Sequence, residues 1–134
     1  MSANMKVLVI DDDEDFRASL RVPLEAQGYE VLEAESGDQG LKMLVERRPD
    51  VVVVDIMMAS ASEGYGVTQA IRWQDAYREF RGIPIIMVSS IEQPPDERFA
   101  MAPEVDLIRP DTYLAKPLDI PRFLEIVRQA AARP

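Results

Sequence analysis

The sequence predicts an α/β fold: a doubly wound, five-stranded parallel sheet with helices on both faces. Three observations predict it. Short apolar runs alternate with helical patterns five times along the chain. The runs Val7-Leu8-Val9-Ile10 and Val51-Val52-Val53-Val54 are continuously apolar, as strands buried on both faces are. Both stop abruptly at acids, Asp11-Asp12 after the first and Asp55 after the second.

Each element has a local signal. After the first strand, Phe16, Leu20 and Leu24 recur at four-residue spacing, and Gly28 offers a left-handed cap. Pro23 lies inside that pattern and is expected to kink or loosen it. Glu30 to Ala34 reads as the second strand. Ser36-Gly37-Asp38 then caps a helix carrying Leu41, Leu44 and Val45, which Pro49 stops. Beyond the third strand, a helix is expected from about Tyr65 to Phe80, burying Val67, Ile71 and Tyr77, with Trp73 as partial core. Ile85 to Val88 forms the fourth strand. Pro94, Pro95, Pro103 and Pro110 crowd the stretch 91–110, so the fourth helix is expected to be irregular, confined to about Asp96–Met101. Thr112 to Ala115 is a short fifth strand. A last helix follows, capped by Asp119 with Pro121 in its first turn, and turns Phe123, Leu124 and Val127 inward.

Composition narrows the chemistry. A chain of 134 residues with 47% hydrophobic content can bury one continuous core, so residues 1–134 are expected to form a single domain. With no cysteine, thiol catalysis, zinc–thiolate sites and disulfides are excluded. With no histidine, the commonest general base is missing and a metal must be held by oxygen alone. The net charge of −9, with 15 scattered basic residues, argues against direct contact with nucleic acid or an anionic membrane. Apolar runs are too short to span a bilayer and no signal peptide opens the chain, so a cytoplasmic protein is expected.

Open parallel sheets place their sites outside the carboxyl ends of the strands. There the strands end at Asp11-Asp12, Asp55, Ser89 and Lys116. Clustered carboxylates repel unless a cation joins them, and an all-oxygen site of this size suits Mg²⁺. Lys116 and Ser89 are suited to hold phosphoryl oxygens, and Asp55 is the sensible nucleophile because no activated Ser, Cys or His competes. The acids Asp13, Glu14 and Asp15 are better read as a helix N-terminus. Met57 and Met58 are expected to pack, since Mg²⁺ avoids sulfur.

The segments ending in Asp11-Asp12-Asp13, in Asp55-Ile56-Met57-Met58 and in Ser89-Ser90, with Tyr113-Leu114-Ala115-Lys116-Pro117, resemble the receiver domain of two-component response regulators, a flavodoxin-like (βα)5 fold. The resemblance runs over essentially the whole chain with the motifs in order. It implies that Asp12 and Asp55 ligate Mg²⁺, with Asp11 acting through water and the Met57 carbonyl completing the set. It implies that Asp55 takes phosphate from a histidine kinase or phosphotransfer protein, that Ser89 and Lys116 close on it, and that Tyr113 turns inward as a switch. In the family the Lys116-Pro117 bond is cis. The partners implied are that kinase, a downstream protein, and a second copy in a phosphorylation-dependent homodimer.

Three departures from the family pattern stand out. Ala59 occupies the place of the usual proline, in a loop (Ala59 to Gly64) one residue longer than usual. The interval between Ser89 and Lys116 is long and proline-rich, which alters the usual output face. Met57 and Ile91, at the positions that tune the attacking water, are both apolar, so a long-lived aspartyl phosphate is expected. Three rival readings remain. One is a pseudo-receiver that binds a partner regardless of phosphorylation. A haloacid-dehalogenase-type phosphatase is another, although it wants an Asp where Met57 stands. A flavodoxin-like cofactor carrier is the third, although its phosphate loop would not begin with acids.

Overall fold

The computed structural model describes residues 5–55, 63–89 and 112–132. Strands β1 (Lys6–Ile10), β2 (Glu30–Ala34), β3 (Val51–Asp55), β4 (Ile85–Ser89) and β5 (Thr112–Ala115) form one sheet in the order β2-β1-β3-β4-β5. Every pairing is parallel, as expected. Helices α1 (Glu14–Ala26), α2 (Gly37–Arg47), α3 (Glu63–Trp73) and α4 (Ile120–Ala131) cover its faces.

Because strand side chains alternate between faces, each continuous apolar run feeds two cores. Leu8, Ile10, Val52, Val54, Ile85 and Met87 point to one side and pack with Leu44 of α2 and Val67 and Ile71 of α3. Val7, Val9, Val51, Val53, Ile86 and Val88 point to the other and pack with Leu20 and Leu24 of α1 and Phe123 and Val127 of α4. All four valines of β3 are fully buried, each contributing about 1.5–3 kcal/mol of transfer free energy. This double burial makes β3 the rigid centre from which Asp55 projects.

The helix ends follow the local chemistry. The Asp13 carboxylate accepts from the N–H of Asp15 at 3.0 Å and of Phe16 at 3.3 Å, capping α1. Ser36 Oγ accepts from Gln39 N–H at 3.1 Å, and Asp119 Oδ1 from Arg122 N–H at 3.3 Å. Gly28 adopts φ +93°, the left-handed conformation its position after α1 requires. The Lys116-Pro117 peptide is cis.

Some expectations are corrected. The helix expected from Tyr65 to Phe80 is two elements: α3 stops at Trp73, Gln74 is extended, and a 3₁₀ turn covers Asp75–Phe80. The Arg72 guanidinium ties α3 to the segment beyond that turn by donating to the carbonyls of Arg81 (2.6 Å) and Ile83 (2.9 Å). Trp73 is 55% exposed, because Ile71 faces the core and a residue two positions on lies about 200° around the helix. Val45 is exposed for a similar reason, since Leu44 and Gly40 occupy the buried stripe of α2. Pro23 lies inside α1, which runs on to Ala26. Among the described residues, no helix is long and apolar enough to cross a membrane. Met57, Met58, Ala59, Ile91 and the irregular helix expected in 91–110 lie outside the described residues.

Candidate functional site

Strand register brings the functional side chains to one edge. β1 and β3 pair Ile10 with Val54, so Asp11 and Asp55 come next on adjacent strands. β4 and β5 pair Ser89 with Ala115, so Lys116 follows immediately, and its N–H donates to the Ser89 carbonyl at 2.6 Å. Asp11, Asp55 and Ser89 are buried while Asp12 is exposed, which opens the cluster on one side.

The acid loop is held from several directions. Asp11 N–H donates to the Ala34 carbonyl at 3.0 Å, and Asp11 Oδ1 accepts from Asp13 N–H at 2.8 Å. Arg17 Nη1 donates to the Asp11 carbonyl at 2.6 Å, while its Nε donates to Glu33 Oε1 at 3.0 Å. Lys116 Nζ lies 3.0 Å from Asp11 Oδ2 and 3.3 Å from Asp55 Oδ2, bridging the two carboxylates. Carboxylate oxygens of Asp11, Asp12 and Asp55 all fall within 4.8 Å of one another.

Burial pushes the Asp11 carboxyl above its usual range, against the Asp13 N–H and the Lys116 ammonium, which hold it down. Burial alone would lower Lys116, but hydrogen bonding and charge attraction from Asp11 and Asp55 outweigh it, so its pKa is raised. The lysine therefore carries a firm positive charge beside the acids. Among the described residues three carboxylates face one ammonium, and the chain offers no nitrogen or sulfur ligand of the His or Cys type. That donor set fits a small hard cation such as Mg²⁺.

Of the residues singled out from sequence, Asp11, Asp12, Asp55, Ser89 and Lys116 come together here. Tyr113 is placed on β5 by its backbone, opposite Met87, and its side chain lies outside what is described. Met57 lies outside the described residues. Two neighbours of the site have no motif in the sequence. Its spacing marks Phe16 only as a core position of α1, yet its ring centroid is 3.9 Å from Lys116 Nζ. Arg17 carried no motif, yet it ties α1 to the acid loop. Neither contact has a signature in local spacing, since each depends on how α1 lies against the sheet.

An open 2-1-3-4-5 parallel sheet with an acid cluster and a lysine beyond its strand ends defines a receiver-type α/β domain. The family model for the response regulator receiver domain matches residues 7–128, and the chain belongs to that family. It is 32% identical over 125 residues to the polar-differentiation response regulator DivK of Brucella ovis, covering 91% of this chain and 92% of the relative. The chemotaxis response regulator CheY4 of Vibrio cholerae superposes with a TM-score of 0.78 at 26% identity, over 95% of this chain and 98% of that one. A signal receiver domain from Colwellia psychrerythraea, at 20% identity, shares the fold with a TM-score of 0.80, over 97% of this chain and 100% of its own. The family is one of signalling domains in two-component systems.

Proposed function

We propose that this chain is a phospho-accepting receiver, in which Asp55 takes a phosphoryl group from a histidine kinase or phosphotransfer protein and the change is passed to a protein partner. The observation that carries the reading is Lys116 Nζ bridging Asp11 and Asp55 inside a cluster of three carboxylates. Asp12 and Asp55 would hold Mg²⁺ directly, Asp11 through water, and the Met57 carbonyl would complete the set. Bound there, Mg²⁺ supplies positive charge that neutralises the cluster and draws in phosphoryl oxygens.

The chain's own residues do the rest. An Asp55 carboxylate oxygen forms the new bond to phosphorus, and the bond from phosphorus to the donor breaks, its electron pair leaving with the donor. Lys116 supplies a positive charge for one phosphoryl oxygen and Ser89 a hydroxyl donor for another. Asp55 and Ser89 are both buried beside the strand ends. Tyr113, on β5 three residues before Lys116, is suited to report the change. Residues 1–134 are read as one receiver unit, which the match over 7–128 and the single sheet support.

Acetyl phosphate with Mg²⁺ is expected to add one phosphate, which mass spectrometry will detect, and Asp55→Asn to abolish it. Mg²⁺ should raise the unfolding midpoint of the wild type but not of Asp12→Asn, since a cation that binds only the native state stabilises it. Absence of both effects would favour a pseudo-receiver that binds its partner independently of phosphorylation.

A further inference from the structure

We propose that Phe16 is a positioning residue for Lys116, an aromatic seat that keeps the ammonium at the site while its carboxylate partners are engaged. This deepens the phospho-acceptor reading and rests on it. Among the described residues, Lys116 Nζ has three charged or aromatic neighbours: Asp11 Oδ2 at 3.0 Å, Asp55 Oδ2 at 3.3 Å and the Phe16 ring, with its centroid at 3.9 Å. The first two are carboxylates that the chemistry itself occupies, through the cation and the new bond to phosphorus. The ring face is the one neighbour of the three that neither step touches.

The contact distance lies well inside the range in which an ammonium is drawn to the negative face of an aromatic ring. A lysine needs such help, because its charge rides on a flexible four-carbon stem with no rigid fork to orient it. The backbone carrying Phe16 is itself anchored on both sides. Its N–H donates to the Asp13 carboxylate at 3.3 Å, and the next residue, Arg17, grips the Asp11 carbonyl and Glu33. Phe16 also packs against the core between α1 and α4, so simple space-filling must be weighed. Space-filling does not set which way the ring faces: its face is turned to the ammonium, and Phe16 and Lys116 together line an open hollow of about 510 Å³ with Leu20, Leu118 and Ile120.

The test compares Phe16→Leu, which keeps apolar bulk without a ring, with Phe16→Tyr, which keeps the ring. The chain has three lysines, Lys6, Lys42 and Lys116, so the ε-methylene signals of ¹³C-lysine-labelled protein can be assigned individually. Ring current should place the Lys116 signal upfield of the other two in wild type and Phe16→Tyr, and Phe16→Leu should lose that displacement. Phosphate uptake from acetyl phosphate in Mg²⁺ should fall about five- to thirty-fold in Phe16→Leu, the equivalent of about 1–2 kcal/mol. Phe16→Tyr should restore it. A small-molecule donor keeps partner recognition out of the measurement, and unfolding midpoints check that both variants fold.

An unmoved Lys116 signal in Phe16→Leu, or uptake equally slow in Phe16→Leu and Phe16→Tyr, overturns the seat. A ring-shifted Lys116 in a wild-type protein that takes no phosphate overturns the acceptor reading instead, and leaves the seat standing.

Discussion

The ammonium of Lys116 lies 3.0 Å from the Asp11 carboxylate, joining residues 105 positions apart in the chain. Among the described residues one cation thus faces a group of three acids, and the balance between them bears on both stability and chemistry.

Removing one of the three acids should relieve their mutual repulsion. Asp55→Asn is expected to stabilise the fold by about 1 kcal/mol in the absence of divalent cations, while Lys116 keeps its shorter contact to Asp11. Urea unfolding in chelator measures this directly. Stability equal to or below wild type would show that the acids are not in electrostatic conflict.

Glu33 makes a pH-dependent contribution. Burial pushes its carboxyl up, but hydrogen bonds from Arg21 and Arg17 more than offset this, so its pKa is lowered on folding. A lowered folded value means the stabilisation is present above the ordinary carboxylate range and is lost as pH falls through that folded value. Glu33→Gln should therefore cost about 1 kcal/mol at neutral pH, allowing for partial exposure, and nothing in strong acid. Denaturation of both proteins across that pH range checks it, and parallel curves would refute it.

Gly40 is tight against the strand that leads to Asp11. A Cβ there would lie 2.4 Å from Ile10 Cδ1 and 2.8 Å from Ile10 Cγ1. Gly40→Ala should destabilise by about 1–3 kcal/mol through overpacking, although alanine is the better helix former by about 1 kcal/mol. Adding Ile10→Val removes the nearest of these atoms and should recover part of the loss. A stabilised Gly40→Ala would mean that α2 can shift freely on the sheet.

Phosphate lifetime is expected to be long, because Met57 and Ile91 are apolar and neither side chain can orient an attacking water. Decay of radiolabelled phosphoprotein in Mg²⁺ should extend over minutes or more, and Met57→Asn should shorten it. Loss within seconds in the wild type would contradict the expectation.

Much of this protein is legible in its sequence because the informative signals are local. Four consecutive valines before Asp55, and the apolar run before Asp11, suit only central strands buried on both faces, and that places both acids at the carboxyl edge. The caps at Asp13, Ser36 and Asp119 and the left-handed turn at Gly28 are likewise written in neighbouring residues. Other features were decided only in three dimensions. Apolar spacing carried the expected third helix to Phe80, whereas the chain turns at Gln74 and leaves Trp73 outside. No pattern foretells that Phe16 meets Lys116, or that Arg17 holds the Asp11 carbonyl. Periodicity reports which face of one element is apolar. Distances between side chains of different elements depend on strand register, helix placement and rotamer, and only packing of the whole sheet sets those.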